Sequence, residues 1–437
     1  MHNEVIIVKG GRCLTGSLEV CGAKNSVLKL MAASLMAAGT STIMNVPRIT
    51  DVRLMTDVLR HLGARVSRKG SCLLIDSSSI SNGETPYSLV SRMRASTAVL
   101  GPLIVRFGQA RVAMPGGCQI GSRKLDMHIL GLEALGVEFE VSHGYINAQI
   151  PATGLRAAHV ALEFPSVGTT ENLMITACAA QGTTRLENVA REPEIVDLAG
   201  FLNSMGARIS GAGSSEMLIE GVPAADLAPA HQYHTVGDRI EAGTLLVAGA
   251  LGKGPVTVAG VDPTHLSLPL TKLQAMGCTV NCQMAAEDAP GAITITGPDR
   301  FVPVDIQTLP YPGFPTDLQA QFMVLNAIAA GTSVITENIF ENRFMFADEL
   351  NRMGAHIRIE GHHALIHGAT RLSGAPVQAP DLRAAAALVL AGLNAEGIST
   401  ISGLEHLDRG YQNLVGQLHS LGADIRRVAN PACDAAH

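Results

Sequence analysis

The sequence predicts an α/β protein of six repeated units of about 70 residues, three in each of two domains. Three observations carry that reading. A short phrase recurs six times, as Leu62-Gly63-Ala64, Leu135-Gly136-Val137, Met205-Gly206-Ala207, Met276-Gly277-Cys278, Met353-Gly354-Ala355 and Leu421-Gly422-Ala423, at spacings of 73, 70, 71, 77 and 68 residues. Each copy follows an amphipathic run and precedes an alternating one, so its glycine is expected to end a helix in the left-handed conformation. Each unit also opens with a helix that is apolar nearly all round, which belongs in a core. Finally, the sixth unit stops after Ile425-Arg426-Arg427 without its last strand, whereas Val5 to Gly11 and Leu18-Glu19-Val20 carry strand patterns ahead of the first unit.

The elements follow in order within each unit. Buried helices are expected to start at Lys24-Asn25-Ser26, Arg94-Ala95-Ser96, Glu171-Asn172-Leu173, Asp238-Arg239-Ile240-Glu241, Asp317-Leu318-Gln319 and Asp381-Leu382-Arg383. Five of them end at Gly39, Gly182, Gly252, Gly331 or Gly397 and lead into short strands such as Thr42-Ile43-Met44. A charged loop, an outer amphipathic helix and the glycine phrase come next, then a strand, a turn and a strand. The first ~20 residues are expected to complete the sixth unit. Residues 22–232 then form one domain, with 1–21 and 233–437 forming the other. Two crossings join them, the second in Ala228-Pro229-Ala230-His231, and such a double crossing is a natural hinge.

Composition narrows the function. A chain of 437 residues can bury two cores without disulfides or metals, and its eight cysteines show no CxxC pair or zinc spacing. Net charge −6 with five Tyr, ten Phe and no Trp argues against a nucleic-acid surface. The longest apolar runs fall short of the ~18 residues that span a bilayer, and Met1-His2-Asn3-Glu4 has an acid where a signal peptide has bases, so the expected location is the cytoplasm. No membrane partner, cofactor or metal is called for, and the oligomeric state is open.

Three buried helices per domain would point their N-termini the same way and focus positive potential where the domains face each other. Asp317, Asp381 and Asn172 taken singly read equally well as helix caps. Capping does not account for Lys24, Arg94, Arg239 and Arg383, since cations oppose the dipole at a helix start. A bound polyanion would account for them. In the second unit, Pro115-Gly116-Gly117-Cys118-Gln119-Ile120-Gly121-Ser122-Arg123-Lys124 surrounds one cysteine with glycines and bases, which suits either a reactive thiolate or an inert thiol. His128, on the following helix, reads as structural.

These residues resemble the UDP-N-acetylglucosamine enolpyruvyl transferases over essentially the whole chain. The carriers are Gly22-Ala23-Lys24-Asn25, Met93-Arg94-Ala95-Ser96, Pro115-Gly116-Gly117-Cys118 through Arg123, Ala190-Arg191-Glu192-Pro193-Glu194-Ile195-Val196-Asp197 and Asp238-Arg239-Ile240-Glu241. Phe314-Pro315-Thr316-Asp317, Glu341-Asn342-Arg343-Phe344-Met345, Asp381-Leu382-Arg383 and Asp408-Arg409-Gly410-Tyr411 complete the ordered set. The resemblance implies two inside-out α/β barrels and transfer of enolpyruvate from phosphoenolpyruvate to the 3-hydroxyl of UDP-N-acetylglucosamine, the start of peptidoglycan synthesis.

It also implies roles. Lys24, Arg123 and Arg409 would hold phosphoenolpyruvate, Arg94 would add positive charge, and Arg343 and Arg383 would lie near the substrate carboxylate, where arginine's planar fork suits the task. Asp317 would take the proton of the sugar hydroxyl, Asn25 would bind the sugar, and Cys118 would act in protonation and product release. Cys118 would also be the site of a pyruvate adduct and of alkylation by fosfomycin-like epoxides. Lys124, Leu125, Asp126, Met127, Ser166, Val167 and Gly168 would line the nucleotide slot, with Ile339 near the sugar. Lys124 stands where the family commonly has proline, Phe346 where it has histidine, and Gly237 where it has proline. A paralogue acting on another nucleotide, a shikimate-type transferase and a non-catalytic nucleotide-sugar sensor are the competing readings.

Overall fold

The computed structural model describes residues 4–81, 83–90, 94–114, 125–286 and 291–430. Cys118, Arg123 and Lys124 lie outside the described residues, and Arg94 is described only as the first backbone position of the 3-10 helix Arg94–Val99. The described residues form two compact bodies, one of residues 22–114 and 125–236 and the other of 4–21 and 237–430.

All six glycines of the repeated phrase are left-handed, with φ of 103°, 95°, 102°, 97°, 89° and 104° in chain order. The residue after each donates its N–H to the carbonyl five positions back, as Ala64 does to Leu59 and Ala423 to Leu418, each at 3.1 Å or less. This is the Schellman ending, which satisfies the last carbonyls of the helix and admits glycine readily because a Cβ crowds the backbone there. The helices so ended are amphipathic: Thr50–His61 buries Val52, Met55, Val58 and Leu59 and turns Arg53 and Arg60 outward.

The core helices are Lys24–Ala33, Leu100–Phe107, Val167–Ala177, Arg239–Gly252, Gln319–Ala327 and Leu382–Asn394. Ala384, Ala385, Ala386, Ala387 and Ala391 have no exposed surface, and short side chains of this kind let neighbouring helices approach closely. The helix bounds differ from the sequence reading in places: the first, third and fifth helices end at Ala33, Ala177 and Ala327, several residues before Gly39, Gly182 and Gly331, and the second begins at Leu100, after the 3-10 helix Arg94–Val99. The third helix starts at Val167, because the Ser166 hydroxyl accepts from Thr169 N–H, leaving Asn172 inside it. Gly252 remains helical, and the left-handed cap beyond it is Lys253 at φ 59°.

Each unit owns one four-stranded sheet with the same order: a parallel edge strand, the strand after the core helix, and an antiparallel pair. In the second unit these are Glu84–Thr85, Gln109–Ala113, Tyr145–Gln149 and Glu138–Ser142. The sixth sheet takes Glu4–Lys9 as its missing strand, between Ile398–Ser402 and Asp424–Ala429. The second N-terminal strand, Gly16–Glu19, does not join it as expected; it pairs with Val256–Ala259 in the fourth sheet. The sixth sheet already has its own edge, Pro376–Gln378, so that place is filled. Correspondingly Tyr233–His234, just ahead of the fourth core helix, edges the first sheet against Thr40–Met44. Each crossing segment therefore leaves its last strand with the body it departs from, and the second changeover falls at Val236–Gly237, just beyond the 232/233 boundary anticipated above. Gly237 stands where a Cβ would lie 1.9 Å from the Gly260 carbonyl oxygen, which accounts for the absence of proline there.

Candidate active site

In the first body, Lys24 opens the core helix Lys24–Ala33 and is almost fully buried. A cation at this end opposes the helix dipole, and the opposition is answered by Asp51, whose Oδ2 is 2.8 Å from the Lys24 Nζ. Asp51 is in the first turn of Thr50–His61, where a negative charge is favoured, so one carboxylate serves two helix ends. Asn25, the next residue along, is exposed. Ser26 donates to the buried carboxylate of Asp197, which also accepts from the Tyr233 hydroxyl at 3.1 Å. Burial pushes the Asp197 carboxyl above its ordinary range despite these bonds.

The described residues of the expected nucleotide slot lie around a second buried cluster. Leu125 precedes the helix Asp126–Ala134, with Asp126 exposed in its first turn and Met127 half-buried. Ser166 caps Val167–Ala177, and Val167 and Gly168 are half-buried. A Cβ on Gly168 would lie 3.3 Å from the His128 ring, so glycine keeps the two helices close. His128 is hydrogen-bonded to Asn172 at 3.0 Å, and burial followed by the charge of Lys29 lowers its pKa to about 4. A neutral imidazole fixed in this way packs two helices together; it is not a base near pH 7.

In the second body, Asp317 sits in the short 3-10 turn Thr316–Leu318. It does not cap the helix. Its Oδ1 accepts from Arg343 Nη2 and its Oδ2 from Arg383 Nη2, both at 2.8 Å, with each guanidinium 5% exposed and the carboxylate 24%. Burial alone would raise the Asp317 pKa, but Arg383 and then Arg343 reverse this and hold it well below the usual carboxylate range. Arg383 Nη1 also donates to the Tyr411 hydroxyl at 3.3 Å, which in turn bonds Thr244 at 2.8 Å, and Gln321 donates to the same threonine. Asp381 does cap its helix, accepting from the N–H groups of Arg383 and Ala384. Arg409 is half-buried beside Asp408, which receives a two-pronged bond from Arg427 at 2.7 and 2.8 Å.

Ile339 is half-buried, and its position depends on a residue the sequence reading passed over. Glu337, 3% exposed, accepts from the hydroxyls of Thr308 and Thr316 and from the N–H groups of Ile339 and Phe340, at 2.8–3.1 Å. It ties the Ile339 loop to the residue before Asp317. Asp51 was missed in the same way. The available signal was slight: in each case a single acid at a strand end or helix start. Phe346, in place of a histidine, is buried and packs in the core.

The structure thus brings together Asp317, Arg343 and Arg383, and places Lys24 with Asp51. The model of the family described as EPSP synthase (3-phosphoshikimate 1-carboxyvinyltransferase) matches residues 8–418, and the chain belongs to that family. It is 50% identical to the UDP-N-acetylglucosamine 1-carboxyvinyltransferase of Desulfosudis oleivorans over 97% of this chain and 99% of the relative. The enzyme of the same name from Desulfatibacillum aliphaticivorans is also 50% identical, over 97% of this chain and 100% of the relative. Among solved structures, the enolpyruvyl transferase NikO from Streptomyces tendae aligns with a TM-score of 0.85 and 26% identity, covering 98% of this chain and 99% of that one. EPSP synthase from Acinetobacter baumannii aligns with a TM-score of 0.75 at 17% identity, a likeness of fold.

Proposed function

We propose that this chain transfers the enolpyruvyl group of phosphoenolpyruvate to the 3-hydroxyl of UDP-N-acetylglucosamine and releases phosphate, the committed step of peptidoglycan synthesis. The observation that carries the reading is the 50% identity to enzymes of that name over almost the whole length of both chains. Lys24, Arg123 and Arg409 are assigned to the phosphate of the donor and Arg343 and Arg383 to its carboxylate, with Arg94 adding positive charge. Asn25 and Ile339 are assigned to the sugar, and residues 124–127 and 166–168 to the nucleotide.

The chemistry balances as an addition followed by an elimination. Asp317 accepts the proton of the sugar hydroxyl as the oxygen bonds to the central carbon of phosphoenolpyruvate, while Cys118 supplies a proton to the methylene carbon. The resulting ketal returns a methyl proton to the Cys118 thiolate as phosphate leaves with the proton held by Asp317, restoring the double bond and both side chains. The paired guanidiniums on Asp317 add a condition. A carboxylate held by two arginines is a weak base, so the donor carboxylate must draw Arg343 and Arg383 toward itself before Asp317 can act. Binding of the acidic substrate then switches on the base it needs.

Phosphate release measured with phosphoenolpyruvate and UDP-N-acetylglucosamine tests the reading, and release no faster than the enzyme-free rate rejects it. Lys124, in place of a common proline, favours one alternative, a transferase for another nucleotide acceptor. That alternative requires another uridine nucleotide to be turned over faster than UDP-N-acetylglucosamine.

A further inference from the structure

A strand follows the core helix in every unit, and the residue after that strand turns the chain out of the sheet. After Thr40–Met44, Thr183–Glu187, Val256–Ala259 and Ile398–Ser402 it is Asn45, Asn188, Gly260 and Gly403, left-handed at φ 58°, 53°, 83° and 79°. Asparagine and glycine adopt this conformation most readily. After Thr332–Thr336, in the fifth unit, the place is taken by Glu337, which is not left-handed and is 3% exposed. The repeat therefore does not need an acid here in order to fold, and burying one is costly unless its oxygens are hydrogen-bonded.

What the acid adds is a connection. Its Oε1 accepts from the Ile339 and Phe340 N–H groups at 2.8 and 3.1 Å and from the Thr308 hydroxyl at 2.9 Å, while its Oε2 accepts from the Thr316 hydroxyl at 2.8 Å. The Thr308 hydroxyl oxygen accepts in turn from Asn338 N–H at 2.9 Å, so the loop is held at three successive backbone N–H groups. Thr316 adjoins Asp317 in the turn Thr316–Leu318. The circuit closes through an arginine. The Arg343 guanidinium lies 5.4 Å from the Phe340 ring centre and donates to Asp317 at 2.8 Å. One oxygen of Glu337 thus fixes the loop that carries Ile339, and the other fixes the turn that carries Asp317.

We infer that Glu337 is a positioning residue of the reaction proposed above, on which this inference rests, and that it sets the distance between the sugar contact at Ile339 and the base Asp317. That distance decides which acceptor hydroxyl meets the carboxylate. Hydrogen bonds to an ionised acceptor are the short, strong kind, which suits them to hold a geometry. Glu337 acts through Thr316 on one side and through the loop N–H groups on the other.

The two links are separable. Thr316→Val is nearly isosteric and removes the base-side bond, so kcat should fall roughly tenfold or more while KM for UDP-N-acetylglucosamine moves less than about threefold. Thr316→Ser returns the hydroxyl and should bring kcat to within about threefold of wild type. Thr308→Val removes the hydroxyl that donates to Glu337 and accepts from Asn338 N–H. It should raise KM for UDP-N-acetylglucosamine roughly fivefold or more, with kcat changed less than about threefold. Loss of folded protein alone would lower kcat in both valine variants and leave KM unmoved, so the KM rise in Thr308→Val separates positioning from stability. Steady-state phosphate release by wild type and the three variants gives every value. An unmoved KM in Thr308→Val, an unmoved kcat in Thr316→Val, or a Thr316→Ser no better than Thr316→Val overturns the inference, while wild-type turnover leaves the proposed function standing. Wild-type release at the enzyme-free rate overturns the proposed function and this inference with it.

Discussion

Replacing Asp317 with asparagine should do three separable things, and the structure sets their sizes. The substitution keeps the shape and removes the charge that Arg343 and Arg383 share. Breaking a buried ion pair from one side costs about 3–5 kcal/mol. A carboxylate with 24% of its side chain exposed belongs at the low end, near about 3 kcal/mol. In a body of this size the melting transition should fall by roughly 6–12 °C. Turnover should be lost with the base. Inorganic phosphate or phosphoenolpyruvate should raise the melting temperature of the variant more than that of the wild type, because two buried cations are then without their internal anion. The pH dependence has a definite sign. The folded pKa of Asp317 is depressed, so its contribution is complete above about pH 4 and is lost only in stronger acid. Differential scanning calorimetry with and without anion, alongside phosphate release, checks all three. A variant melting within about 2 °C of wild type, with no larger gain from anion, would refute the argument.

Other consequences are equally direct. Gly206→Ala should destabilise by about 1–2 kcal/mol in urea melts, purely through its φ of 102°, since the nearest atom to an added Cβ is an ordinary 3.5 Å away. Burial and then Asp238 raise the Glu241 pKa to about 7, with the bonds from Gln417 and Cys21 N–H and the charge of Arg383 opposing. The native state therefore retains a proton that the unfolded chain has lost, and stability falls as pH rises toward 7, by of order 3 kcal/mol. Glu241→Gln should flatten that slope and be the more stable protein at about pH 8 but not at about pH 5, as chemical melts at the two pH values would show. Tyr411→Phe removes a hydroxyl that bonds Arg383 and Thr244, and should raise KM for phosphoenolpyruvate several-fold with a smaller change in kcat, by steady-state kinetics. Equal losses in both constants would mean that Tyr411 does more than orient Arg383.

The sequence made visible what obeys local rules. Six helix ends were legible because a left-handed cap calls for glycine, and the core helices because nothing polar interrupts Ala384 to Ala391. The exchanged edge strands were not. Tyr233–His234 is two residues long, too short for any alternation, and its partner Thr40–Met44 is some 190 positions away. The charged helix starts were half legible. Lys24 and Arg383 marked themselves by opposing a dipole, but the sequence could not say that Asp51 and Asp317 already face them. Glu337 was invisible because a glutamate at a strand end ordinarily faces water, and only the folded loops bring four donors to it.

The pairing of Glu4–Lys9 with Asp424–Ala429 has a consequence for synthesis on the ribosome. Glu4–Lys9 is made before its partner Asp424–Ala429, across more than 400 intervening residues, whereas the body between Gly22 and Val236 is contiguous in sequence. The Gly22–Val236 body can therefore finish folding while the nascent chain is still growing, with the Glu4–Lys9 strand unpaired until Asp424–Ala429 has been made.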